Sequence, residues 1–376
     1  MSTLEHSARA VRAALDAAAR GLVERAVLVD LVALAAVAGE HVLVIGPPGT
    51  AKSHAVRRVA GALGGRYFEY LLGRFTEPSE LVGPVDLRRL REGVVETETR
   101  GMLPEAEVAF LDEVFLGSTA ILNTLLAILN ERRFRRGHTD VAVPLRVCVG
   151  AANRMPDDDA LAAFADRFLL RCFVEPVGDE LLEDLLEGGW AAEPAPAPDG
   201  ATLADVDRLA AAARGADLAA VRPHLAHTIR VLRAAGLALT DRRAVKLQRL
   251  VAAAAALDGR TTPGRADLWP IVFAVPTADG QALAREALGE LLADAHSSAL
   301  VAAAAEAARS PSARAEELIA AVRDALAAPA ADARRPRLEA LAREIDAGFA
   351  PAARPPALAE ARARLTAELA GEVGAA

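Results

Sequence analysis

Short unbroken apolar runs alternate with helical stripes over the first half of the chain. Val42 to Ile45 is one such run, the length of a buried strand. Others are Arg66 to Leu72, Val108 to Leu111, the stretch LRVCVGAAN at 145–153 and Leu169 to Val174. Between them the spacing predicts helices. Residues 5–20 read as an amphipathic helix and 22–38 as a more buried one. Val56, Val59 and Ala60 share one helical face, and STAILNTLLAILNE at 118–131 is a helix that Ser118 can cap.

Residues 73–103 break this rhythm. Pro78, Pro84 and four glycines interrupt any long helix, so we expect a short helix at 78–82 and a hairpin-like insertion with a strand at Val94–Thr99. A segment of this length between two core strands is a candidate functional or partner surface. Residues 187–202, EGGWAAEPAPAPDGAT, are rich in Pro, Gly and Ala and read as a linker. Helical patterning resumes from 203 to about 280. Residues 281–376 are Ala/Leu/Arg/Glu helices punctuated by Pro311, Pro329, Pro336 and the prolines of 351–356, without a catalytic motif.

Composition changes this picture little. Few aromatics (4%) and an alanine-rich 53% hydrophobic content favour helix. A net charge of −8 argues against a broad nucleic-acid footprint. Cys148 and Cys172 sit in apolar runs and read as buried reduced thiols, which suits the cytoplasm. The N-terminus lacks the apolar core of a secretory signal, and Ala26–Ala38 is too short to span a bilayer.

The chemistry concentrates at the first apolar run. Val42–Ile45 leads into Gly46-Pro47-Pro48-Gly49-Thr50-Ala51, then Lys52-Ser53-His54 and a helix. Strand, glycine loop, lysine, hydroxyl and helix are the parts of a phosphate-cradling P-loop. Backbone N–H groups turned inward and the helix N-terminus favour phosphate oxygens. Lys52 supplies a compact charge, and the Ser53 hydroxyl can ligate Mg²⁺. The chain contains only two lysines, Lys52 and Lys246, among 43 basic residues. A lysine kept here suits a site that needs a point charge rather than a planar fork. Ala51 replaces the usual glycine, a tolerable change if that position avoids positive φ.

Val108 to Leu111 ends in Asp112-Glu113. After a P-loop, such a pair can hold the Mg²⁺ shell and polarise an attacking water. Asn153, at the end of the next run, can orient a γ-phosphate or water, or simply form a turn before Met155-Pro156. Arg167 is either a surface arginine or a finger reaching a neighbour's nucleotide. Thr240 fits a helix cap, and Arg242 and Arg243 in the first turn oppose the helix dipole, which suggests an anion nearby. His224 and His227 have no evident third ligand, so no metal site is expected there.

The order of these parts resembles the MoxR family of AAA+ ATPases. The resemblance is carried by the P-loop, Glu80-Leu81-Val82-Gly83-Pro84, and Leu103-Pro104-Glu105-Ala106-Glu107 leading into Leu111-Asp112-Glu113. The run Ile121–Leu126 with Asn130-Glu131-Arg132 is similar to the RavA branch. The match covers roughly residues 15–275. It implies Lys52 and Ser53 as Walker A, Asp112 and Glu113 as Walker B, Asn153 as sensor 1, Arg167 as arginine finger and Arg242 as sensor 2, with Arg243 the second choice. It also implies an insertion at 74–101, ATP with Mg²⁺, a ring, commonly a hexamer, and remodelling of a protein client. A von Willebrand factor A domain protein is the implied partner.

The expected fold is therefore α/β: a five-stranded, mostly parallel P-loop core over 1–178, an α-helical lid over 179–280 and a helical region over 281–376. Two rival functions share the motifs. A nucleic-acid motor is disfavoured by the acidic charge and scarce aromatics. A nucleotide-dependent scaffold with little turnover is disfavoured by the intact motif set.

Overall fold

The computed structural model of the protein describes residues 2–156, 158–190, 201–328, 334–349 and 354–373. Its strands are β1 (Val42–Ile45), β2 (Tyr67–Leu71), β3 (Val108–Asp112), β4 (Arg133–Arg136), β5 (Thr139–Ala142), β6 (Val147–Ala152) and β7 (Leu170–Phe173). Five of them form one parallel sheet in the order β2-β3-β6-β1-β7. Val42 lies opposite Val149 and Leu170, and Ile45 opposite Ala152 and Phe173, so the C-terminal ends of β1, β6 and β7 finish level. The P-loop follows β1 at that edge, the edge at which open parallel sheets generally bind ligands.

The helices of the first half are α1 (Thr3–Ala19), α2 (Ala26–Ala38), α3 (Lys52–Leu63), α4 (Pro78–Val82), α5 (Leu87–Arg91), α6 (Thr119–Glu131), α7 (Asp159–Ala165) and α8 (Leu182–Trp190). Those of the second half are α9 (Leu203–Arg214), α10 (Arg222–Ala234), α11 (Asp241–Leu257), α12 (Pro270–Phe273), α13 (Ala278–Ala287), α14 (Gly289–Leu292), α15 (Val301–Ala308), α16 (Pro311–Ala327), α17 (Arg334–Gly348) and α18 (Pro356–Val373).

Three apolar clusters organise these elements. The largest joins one face of the sheet to α1, α2 and α3 and then, without a break, to residues of α9 through α15. Helix α2 is the reason: every residue from Leu28 to Val37 is buried. A helix apolar on all sides needs neighbours on all sides, and here α9, α11 and α15 supply the cover that the sheet does not. The second cluster covers the opposite sheet face with α6, Phe134 of β4 and the end of α7. The third is confined to α16, α17 and α18. The expected boundary at residue 280 thus falls inside α13, and the structural break in packing comes after α15. The part of the linker at 191–200 lies outside the described residues.

The insertion departs from expectation. A helix does cover Pro78–Val82, but Val94–Thr99 forms no strand. It makes a single bridge, Val85 with Thr97, flanked by Asp86 N to Glu96 O and Glu98 N to Pro84 O. Gly93, at φ +79°, returns the chain from α5, and a ladder this short leaves the segment as loop. The unanticipated β-structure is the β4–β5 hairpin, turned at Gly137 (φ +59°). Its strands are mostly polar, with Phe134, Val141 and Ala142 as their apolar residues, so the apolar pattern marks them only weakly. Cys148 and Cys172 are free and buried, and burial pushes both thiols up to about 12.

Candidate functional site: a P-loop at the strand ends

The loop after β1 is shaped by two backbone demands. A Cβ on Gly46 would lie 2.1 Å from the Val174 carbonyl oxygen, so only glycine lets β1 run this close to the exit of β7. Gly49 takes φ +81°, open to glycine at little cost. Ala51 also sits in the left-handed region, at φ 57° and ψ 26°. The condition for easy tolerance of alanine is therefore not met, and the loop carries strain of about 1–2 kcal/mol at that residue.

Lys52 opens α3 and folds back over the loop. Its Nζ donates to the carbonyls of Gly46 (2.9 Å) and Pro47 (2.8 Å). Burial lowers its pKa from the ordinary lysine value, while nearby Asp112 and Glu113 act in the opposite direction. Thr50 Oγ1 closes the loop on Pro47 O at 2.9 Å. Ser53 and His54 follow on the first turn, both half-buried. Burial, then Arg58 and Arg57, holds His54 below the usual histidine range.

The acidic pair stands two strands away. Glu113 N donates to Asp112 Oδ1 (2.9 Å), and Glu113 itself is left-handed at φ 49°. Asn153, at the end of β6 between the two, donates from Nδ2 to Glu113 Oε1 at 2.6 Å. P-loop, carboxylate pair and amide thus meet along one edge because β1, β6 and β3 are adjacent and parallel. Glu113, a non-glycine residue in a strained conformation, is the kind of outlier that active sites keep.

The arginines fall elsewhere. Arg243 is buried and holds Asp166 Oδ1 (2.6 Å) and the carbonyls of Leu169 (2.9 Å), Ala274 (2.7 Å) and Phe168 (3.2 Å). It fastens α11 to the segment entering β7. Arg242 donates to Asn130 Oδ1 (3.0 Å) on the last turn of α6. Arg167 lies in that same segment before β7, half-buried, with its Nε buried and without a partner. All three occupy the N-terminal edge of the sheet, about 13 Å of strand from their own P-loop.

No motif in the sequence singles out Arg25. It precedes α2, is 5% exposed, and donates to Thr50 O (2.8 Å) on the P-loop and Glu175 O (2.7 Å) beyond β7. It also lines a pocket of about 380 Å³ against the P-loop, walled by Leu22, Val23, Val177 and Leu185, with His54 at the side. Gly21 and Gly188 pack backbone to backbone to bring α8 up to this pocket. A Cβ on Gly188 would lie 2.6 Å from Gly21 O. Such contacts join segments more than 150 residues apart, which no local pattern encodes.

Fold and loop define a P-loop protein of the AAA+ class. Residues 9–211 match the family described as the MoxR domain in MoxR-vWA-beta-propeller ternary systems, and the chain belongs to that family. Two uncharacterised proteins of Methanocaldococcus jannaschii are similar. MJ0812 is 35% identical over 247 residues, 65% of each chain, and MJ0079 is 39% identical over 178 residues, 47% of this chain and 46% of that one. The chain therefore spans about two-thirds of one relative and half of the other. Among solved structures, a "putative ATPase" from Cytophaga hutchinsonii shares the fold at a TM-score of 0.62 and 15% identity, over 78% of this chain and 96% of that one. Among the described residues no helix is long and apolar enough to cross a membrane.

Proposed function

We propose that the protein is an ATPase that hydrolyses ATP with Mg²⁺ and works as a ring, commonly six-membered, on a protein client. The observation that supports this best is the convergence of Lys52, Asp112, Glu113 and Asn153 on one edge of the sheet. The inward-turned loop from Gly46 to Ala51 and the Lys52 ammonium suit the phosphates. The pocket beside Arg25 suits a flat base, with apolar walls and His54 at its side.

The donor set fits magnesium. Ser53 forms no side-chain hydrogen bond among the described residues, and Asp112 keeps one carboxylate oxygen clear of its bond to Glu113 N. Mg²⁺ held through one or two protein oxygens and substrate phosphates would neutralise developing negative charge. Glu113 accepts a proton from the attacking water. Asn153 fixes the direction of that carboxylate, so the base is aimed before substrate arrives.

Arg167 and Arg242 cannot serve the nucleotide of their own chain from the opposite sheet edge. In a ring they face the next subunit, where the unpaired Arg167 Nε finds the partner it lacks within the chain. The family description supports a von Willebrand factor A domain protein, and a β-propeller, as partners. Within the family, the run from Ile121 to Arg132 favours the RavA branch.

Glu113→Gln tests the assignment. It keeps the shape and the bond from Asn153 but removes the base. ATP turnover should fall on the order of 10²–10⁴-fold with ATP binding retained. Turnover at the parental rate would remove Glu113 from the mechanism.

A further inference from the structure

A second cavity, about 420 Å³, shares Arg25 with the pocket against the P-loop but opens on other residues. It is bounded by the start of α2, the end of β7, α13, the end of α15 and α16. Three separate stretches of chain bring guanidinium groups to it: Arg25, Arg285, and Arg309 with Arg314. Three glutamates also line it, yet only one of them pairs with these arginines. Arg285 Nη2 meets Glu306 Oε1 at 3.0 Å, and its Nε donates to Glu306 O. Arg25 spends its N–H groups on the carbonyls of Thr50, Glu24 and Glu175. The carboxylate paired with Arg314, Glu344, stands 3.8 Å away. Arg309 has no carboxylate partner among the described residues.

These charges crowd one another. Burial lowers the pKa of Arg285; Glu306 raises it, and Arg314 and Arg309 lower it further. Like charges gathered round a cavity repel unless an anion sits among them. The cavity floor adds to the attraction. Ala26, Val27 and Leu28 line it, and the first intrahelical bond of α2 is Val29 N to Arg25 O. The N–H groups of those three residues thus precede Val29 N, the first intrahelical donor, and have no acceptor within the helix. Arg25, as N-cap, supplies no side-chain cap, and the first turn of α2 contains no acidic residue.

We propose that this cavity is a second anion site, separate from the P-loop, that takes a small phosphate-bearing molecule. Guanidinium forks and free backbone donors together match the several oxygens of a phosphate, where a carboxylate offers only two. The separation of the two sites rests on the P-loop being the nucleotide site. Because Arg25 also holds Thr50 O and Glu175 O, an anion at the cavity acts on the side chain that braces the P-loop.

The test uses the full chain and pyrophosphate as probe, followed by titration calorimetry. Lys52→Ala removes the P-loop's grip on phosphate, so binding that persists in it belongs elsewhere. The expected result is persistent pyrophosphate binding in Lys52→Ala, weakened about tenfold or more when Arg309→Glu and Arg314→Glu are added. Arg309→Ala alone, at an exposed position, gives the same direction if the double reversal disturbs folding. Malonate should bind about tenfold more weakly than pyrophosphate. Loss of all binding in Lys52→Ala, or indifference to both arginine changes, would overturn the site; equal binding of malonate would overturn its phosphate preference. ATP binding by the unaltered chain is read separately and reports on the nucleotide site alone.

Discussion

Ala51 and Glu113 carry left-handed backbone next to the phosphate loop and the acidic pair. For Glu113 the distortion aims a carboxylate that Asn153 then holds. For Ala51 the side chain contributes no bond, and the strain is a plain cost. Ala51→Gly should therefore raise unfolding stability by about 1 kcal/mol, the left-handed penalty less the extra entropy of glycine. A denaturant midpoint that stays put or falls would show that the loop relaxes around alanine. At this scale the sequence reading is uneven. Residue types at the loop, at Asp112-Glu113 and at Asn153 are readable because strand-end chemistry constrains them locally. Arg242 and Arg243 are adjacent and chemically identical, and only tertiary contacts separate them: one is buried under four bonds, the other holds a single surface amide.

Helix α2 shows what an element adds. Its apolar surface predicts burial, but Asp30 lies on it, 7% exposed. The carboxylate accepts from Ala303 N at 2.9 Å and from Ala302, capping α15 across the core. Burial, with Asp16 adding to it, pushes this carboxyl up to about 7 from 3.8, against the backbone bonds. The folded chain thus keeps a proton that the unfolded chain releases. Stability from this group is complete below about pH 4 and lost as pH rises to about 7, a change of about 4 kcal/mol. Asp30→Asn removes that dependence. Its stability gain over the parent should grow between pH 4 and pH 7 and level off above. Denaturant unfolding at pH 4, 5.5 and 8 checks this; a constant difference would mean that Asp30 stays ionised. The β4–β5 hairpin is the converse case, an element with only a weak apolar pattern, held where Gly137 turns the chain and Phe134 and Val141 pack against the core.

Across the whole molecule, packing and not sequence position sets the units. The helices from α9 to α15 share a core with the sheet, whereas α16 to α18 pack on themselves and touch the rest through contacts such as Ser312 with Glu286 and Arg343 with Asp179. A chain ending at residue 309 should keep a cooperative melting transition and its ATP affinity; aggregation or loss of the transition would show the three-helix unit to be part of the main fold. The candidate site residues lie at both edges of the sheet. Arg167→Ala should lower turnover by on the order of 10³-fold while leaving ATP binding intact. Adding a Glu113→Gln chain, whose own Arg167 is present, should restore part of the lost rate, because each variant lacks what the other supplies. No recovery on mixing would count against action between subunits.

The sequence by itself determined the strand-loop-helix unit, the carboxylates at a strand end and the alternation that gives a parallel sheet, since each depends on residues within one turn or one strand of each other. Only the tertiary structure decided which arginine braces which segment, where Arg25 reaches, and that the site's remaining charges lie on the far edge. Those outcomes depend on contacts between residues 25 to 150 positions apart, where geometry, set by the packing of α2 and its neighbours, selects among side chains that composition and spacing leave equivalent.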